Sequence, residues 1–135
     1  MRMFRVEKSN TSRLEILRQN AIKILGSLER VLRNLKDKSI DDIEKVKASN
    51  QFLNLLKSNN FKLTTTQLVS VLNLPPNYVN ELLKNIKGLK AKKLTKPARY
   101  AIYYPDEYVY YFGDSITNVL KIVHEVINRL KEINS

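Results

Sequence analysis

The sequence predicts a mainly α chain with a small β-hairpin between long terminal helices, and three observations predict it. Apolar residues recur at steps of three and four over residues 14–35 and again over 116–133, which is helical spacing. The stretch Thr64 to Leu89 carries two shorter helical patterns parted by Asn73 and Pro75-Pro76, the outline of two helices meeting at a tight corner. Between Leu89 and Phe112 the pattern changes to aromatic and β-branched residues in alternation, as strands require.

Taken in order, Ser12-Arg13-Leu14-Glu15 reads as a capping box that opens a helix over residues 12–37. Its seam is Leu14, Leu17, Ala21, Ile24, Leu28, Val31 and Leu35, about three heptads long. Ser39 with Asp42 caps a second helix over 39–58, whose apolar face is Ile43, Val46, Phe52, Leu53 and Leu56 and which ends at Asn59-Asn60. Phe61-Lys62-Leu63 is an extended link, and Thr64-Thr65-Thr66-Gln67 is a further capping box. Proline is welcome in a first helical turn, so a short helix starts at Pro75-Pro76 and runs to about Lys87, with Gly88 ending it. Strands follow to Phe112, and Asp114 or Ser115 caps a last helix over 114–134 with the seam Ile116, Val119, Val123, Val126, Leu130 and Ile133. The 135 residues form one domain, 1–135, with the corner and strands occupying 64–112.

Composition narrows the function classes. Lys and Arg number 24 against 13 Asp and Glu, a net charge of +11, which favours polyanionic partners. The charge is uneven: +6 over residues 1–60, +5 over 61–113 and zero over 114–135. No cysteine is present, so disulfides and thiolate metal sites are excluded. MRMFRVEKSN lacks the apolar region of a signal peptide and no run approaches a membrane span, so a soluble, cytoplasmic protein without membrane contact is expected.

In the helix after the corner, Val79, Leu82, Leu83 and Ile86 make the buried face, which leaves Asn77, Tyr78, Asn80, Glu81, Lys84 and Asn85 outward. Asn can bond adenine bidentately, Glu can accept from cytosine, and Lys84 can reach phosphate or guanine. The same residues would also serve as an ordinary solvated face.

On these residues the chain resembles the winged helix-turn-helix family, and within it the small dimeric ArsR-like and MarR-like regulators. The resemblance covers Thr64 to Tyr104: Gln67-Leu68-Val69 looks like the signature of the first helix, Leu72-Asn73-Leu74 like the turn, Val79 like the recognition-helix anchor, and Gly88-Leu89 like the lead into the wing. Pro75 replaces the usual Ser or Thr cap, Glu81 stands where a basic residue is frequent, and the cysteine ligands of the metal-sensing members are missing.

The resemblance implies a wing. Leu89–Leu94 and Arg99–Tyr104 can be its strands, with a basic tip at Thr95-Lys96-Pro97-Ala98. In a second register Arg99–Tyr104 pairs with Tyr108–Phe112 about Pro105-Asp106-Glu107, giving an acidic tip that repels phosphate; a three-stranded sheet accommodates both. The expected DNA contacts are Thr65, Asn77, Tyr78, Asn80, Glu81, Lys84, Lys87, Lys90, Lys92, Lys93, Lys96 and Arg99, with the lysines on the backbone and Lys96 or Arg99 in the minor groove.

The two terminal seams suggest a helical layer that pairs within the chain, between chains, or both. A homodimer would set two recognition helices about 34–36 Å apart on DNA. Its expected interface is Leu14, Leu17, Ile24, Leu28, Val31, Leu35, Ile116, Val119, Val123, Val126, Leu130 and Ile133.

Seven tyrosines could stack on unpaired bases, but at strand spacing they read as half-buried packing. His124 sits beside the last seam, and no catalytic arrangement, metal-ligand set or phosphate-binding loop is present, so no enzyme activity, metal or cofactor is expected. The expected function is duplex DNA binding by a homodimeric transcriptional regulator. The alternative is a winged-helix module for protein assembly, such as a partition adaptor or transcription-complex subunit.

Overall fold

A computed structural model of the chain describes residues 2–35, 50–94 and 106–132, with side chains of the first segment described from residue 13 onward. Helix α1 spans Arg2–Leu35 and α2 spans Gln51–Ser58. Strand β1 (Lys62–Thr64) leads directly into α3 (Thr65–Leu72) and α4 (Pro76–Leu82). Strands β2 (Lys90–Lys93) and β3 (Tyr108–Tyr111) precede the last helix, α5 (Ile116–Glu132). The chain is thus mainly helical with one small antiparallel sheet of strand order β1-β3-β2. Among the described residues, no helix is long and apolar enough to cross a membrane.

Helix α1 starts some ten residues before the expected cap. Ser12 lies inside it, and Glu15, instead of reaching back to a cap, accepts from Arg18 at 2.9 Å and from Gln19 at 3.3 Å. No glycine or proline interrupts residues 2–25, so nothing stops the helix from propagating toward the first residue. The expected cap at Ser39 and Asp42, and Ile43 and Val46, lie outside the described residues. Helix α2 takes its cap from Asn50, whose Oδ1 accepts from the Leu53 amide at 3.0 Å while its Nδ2 donates to Ser27 of α1 at 3.2 Å. One side chain therefore caps α2 and ties it to α1.

The corner follows its sequence signals closely. Thr64 and Gln67 form the reciprocal capping box at the start of α3, with bonds of 3.2 and 2.9 Å. Asn73 takes the left-handed conformation that the turn needs, at φ 57°. Helix α4 starts at Pro76 but ends at Leu82, several residues before Lys87. The cause is tertiary: Arg129 of α5 donates to the carbonyls of Leu82 (3.0 Å), Lys84 and Asn85 (3.4 Å), which holds those carbonyls turned out of a helical ladder.

Tyr108–Tyr111 is the central strand. It pairs with β1 through Lys62↔Tyr111 and Thr64↔Val109, and with β2 through Lys90↔Tyr111 and Lys93↔Tyr108. Lys90–Lys93 thus pairs with the later strand; the expected strand Arg99–Tyr104 and the expected tip lie outside the described residues.

Helices α1 and α5 pack along each other and carry much of the core. From α1 come Ala21, Leu25, Leu28 and Leu32, and from α5 Val119, Ile122, Val123 and Leu130, all 2% exposed or less. Asn118 joins this layer to the sheet. Its Nδ2 donates to the carbonyls of Gly88 (3.0 Å) and Phe112 (2.8 Å), and the positive φ of Gly88 and Gly113 (88° and 102°) lets the backbone come close enough.

Candidate nucleic-acid interface

The turn after α4 and strand β2 carry a run of exposed lysines, of which Lys90 and Lys92 share the sheet face of Tyr111 and Val109, opposite the Ala91–Tyr110 face that lines the α4 groove. Lys84 and Lys87 leave the turn after α4, and Lys90, Lys92 and Lys93 lie on β2, all exposed. Among the described residues β2 pairs with β3 alone, and its lysines are exposed. Lys93 lies 3.5 Å from Asp106, whereas Lys84, Lys87, Lys90 and Lys92 have no ion pair among the described residues. Lys96 and Arg99 lie outside the described residues.

Three of the expected contact residues face inward. Thr65 is only 2% exposed; its hydroxyl donates to Asn80 Oδ1 at 2.8 Å and accepts from the Tyr108 amide at 2.9 Å. Asn80 uses three of its four hydrogen-bonding positions: Oδ1 also accepts from the Tyr110 hydroxyl at 2.8 Å, and Nδ2 donates to the Asp106 carbonyl at 2.8 Å. Its bidentate edge is spent on the fold, which removes Thr65 and Asn80 from the base-reading set. Tyr78 packs against the core with its hydroxyl buried and without a hydrogen-bond partner. Burial raises its phenol above the ordinary value, against the opposing pull of Arg18. It too is a packing residue.

Asn77 and Glu81 are the exposed side chains of α4. They line a groove of about 510 Å³ between α4 and the sheet, with Lys84, Leu89 and Tyr108 on its walls. Tyr108 and Tyr110 stack there with ring centroids 5.8 Å apart. The Tyr110 phenol is pushed up to about 12, first by burial and then by the nearby Tyr108 and Glu107.

The expected dimer seam is largely consumed inside one chain. Leu28, Leu35, Ile116, Val119, Val123, Val126 and Leu130 are buried because α1 and α5 face each other, so they cannot form an outer interface. Leu17, Ile24 and Val31 are half-buried against the same core. Leu14 remains 39% exposed, and Ile16, which the seam did not include, is 58% exposed. Ile133 lies outside the described residues.

Several residues that shape this surface carry no local signal. Arg129 ends α4 from 47 positions away, and Glu107 accepts from Thr66 across 41 positions. The Asn118 Nδ2 likewise donates to the Gly88 carbonyl 30 positions away as well as to Phe112. Only the asymmetry of charge, with Asp106-Glu107 the sole acids between Lys84 and Phe112, hinted that these two face the lysines. Comparison of the chain with family models, with curated proteins and with solved structures finds no match.

Proposed function

We propose that this chain is a winged helix-turn-helix protein that binds double-stranded DNA, chiefly through the phosphate backbone, and acts in the cytoplasm as a small homodimeric transcriptional regulator. The observation that carries the reading is the run of exposed lysines that follows the α3–α4 corner in the chain, Lys84, Lys87, Lys90 and Lys92, which have no ion pair among the described residues. The element order α2-β1-α3-α4-β2-β3 with sheet order β1-β3-β2 supports the winged arrangement.

Sequence reading is narrow in this scheme. With Thr65, Tyr78 and Asn80 committed to the fold, Asn77 and Glu81 are the α4 side chains left to meet base edges, Asn77 with adenine and Glu81 with cytosine. Affinity then comes mainly from the lysines, and discrimination between sequences is modest. The same thin reading head also favours a second role: a winged-helix module in which this face docks on an acidic protein partner.

Fluorescence anisotropy of a duplex over a salt series tests the proposal. Four lysine–phosphate contacts give a slope of log K against log salt of about −4 per protomer. Substituting Lys90 and Lys92 by Gln should flatten that slope by about 2. An absent or salt-insensitive duplex affinity, with acidic protein bound instead, would move the assignment to the protein-docking role.

A further inference from the structure

Four contacts tie the acidic pair Asp106-Glu107 to the start of α3, to α4 and to Lys93. Glu107 Oε1 accepts from the Thr66 backbone amide at 2.7 Å, and its Oε2 accepts from the Thr66 hydroxyl. Asp106 Oδ2 lies 3.5 Å from Lys93 Nζ. The Asp106 carbonyl accepts from Asn80 Nδ2 at 2.8 Å. An amide in a first helical turn, a hydroxyl and an ammonium are the donors a DNA phosphate uses. Here two carboxylates hold them.

The reciprocal box of Thr64 and Gln67 satisfies the amides of those two residues and leaves the Thr66 amide of the same first turn to Glu107, a donor that a phosphate oxygen can satisfy equally well. The carboxylate is not needed to hold the strand in place. The Glu107 carbonyl accepts from the Leu94 amide at 2.8 Å and the Tyr108 amide donates to Thr65, so the backbone stays anchored when the Glu107 side chain rotates. Release therefore requires rotamer changes alone.

We propose that Asp106-Glu107 is an internal competitor for phosphate: in the free chain it occupies the Thr66 donors and Lys93, and it gives them up to the backbone of bound duplex DNA. The competitor has the charge of the ligand it displaces, and its carboxylates return to water on exchange. This proposal rests on the DNA-binding reading above and adds a regulated step to it, because whatever favours release of the pair raises affinity without altering a base contact.

The test compares Asp106→Asn/Glu107→Gln with wild type in duplex anisotropy at fixed salt. Asp114→Asn/Glu125→Gln serves as a control that removes the same two charges elsewhere. The competitor variant should bind about tenfold more tightly, and the control no more than about threefold, since screening weakens distant charges. In labelled wild-type protein, the side-chain carboxyl carbon resonance of Glu107 should shift when duplex is added. Equal gains in both variants, or a Glu107 resonance that stays put in the complex, would overturn the competitor while leaving DNA binding intact. If both folded proteins ignored duplex DNA at low salt, the DNA-binding reading would fall, and the competitor with it.

Discussion

The Thr65 hydroxyl donates to the side-chain oxygen of Asn80 at 2.8 Å, joining the first residue of α3 to the middle of α4. Tyr110 reaches the same oxygen from the sheet. Asn80→Ala strips the acceptor from two buried hydroxyls, and we expect a loss of about 2–3 kcal/mol in urea unfolding. Asn77→Ala should stay within about 0.5 kcal/mol of wild type in the same measurement, because its side chain is exposed. Equal stabilities would show that the corner does not depend on this network.

Arg129 donates to the carbonyls that terminate α4. Arg129→Met keeps the aliphatic stem and removes those donors, so about 2 kcal/mol of stability should be lost. Amide exchange around Leu82–Asn85 should quicken more than exchange in α1. Uniform exchange across both regions would contradict a local role.

Gly113 is a steric requirement of the Asn118 clasp. A Cβ built there would lie 2.4 Å from Asn118 Nδ2, and the φ of 102° disfavours any side chain. Gly113→Ala should cost roughly 2–3 kcal/mol. Adding Asn118→Ala relieves the collision but not the backbone strain, so the double variant should recover only part of the loss expected from adding the two single effects. A purely additive pair would remove the clasp from the explanation.

Tyr110 should ionise near pH 12, as followed by ultraviolet absorbance at alkaline pH. Its phenol binds its proton more tightly in the folded chain than in the unfolded one, where the value is about 10. The stabilising contribution is therefore whole below pH 10 and drains away as pH rises through 10 toward 12. Tyr110→Phe should remove that late step from the titration and flatten this part of the pH–stability curve.

Leu14 and Ile16 are the exposed large apolar residues of the described chain, one turn from the α1–α5 layer. Replacing both by Glu should turn a dimer into a folded monomer in light scattering at micromolar concentration, with helix content by circular dichroism unchanged. A monomeric wild type would take the dimer out of the proposed function.

Local signals made much of this fold legible. The Thr64–Gln67 box, Asn73 at the turn and Pro76 in the first turn of α4 act within four residues, and each appears where the sequence puts it. Periodicity likewise marked the buried faces of α1 and α5. It could not say what buries them, because a helix stripe is the same whether its partner lies in the same chain or another. The reading head was misjudged for a related reason. Tyr78 and Asn80 fall on the polar side of a short helix, yet Arg18 from α1 and Tyr110 from β3 meet them there. The pairing of Lys90–Lys93 with Tyr108–Tyr111 was not foreseen, because the expectation joined each strand to its neighbour in sequence; the expected strand Arg99–Tyr104 lies outside the described residues.

The lysines of β2 have one more consequence. Among the described residues β2 is the outer rail of its sheet, paired on one side by β3. Charged side chains on such a rail repel an approaching copy and discourage the strand-to-strand growth that leads to fibres. Lys90, Lys92 and Lys93 can thus guard solubility with the same charge that attracts phosphate. Neutralising them by any route, including tight binding to a polyanion that crowds many copies together, would bring bare strand edges side by side, so aggregation at high occupancy is the natural failure mode of this surface.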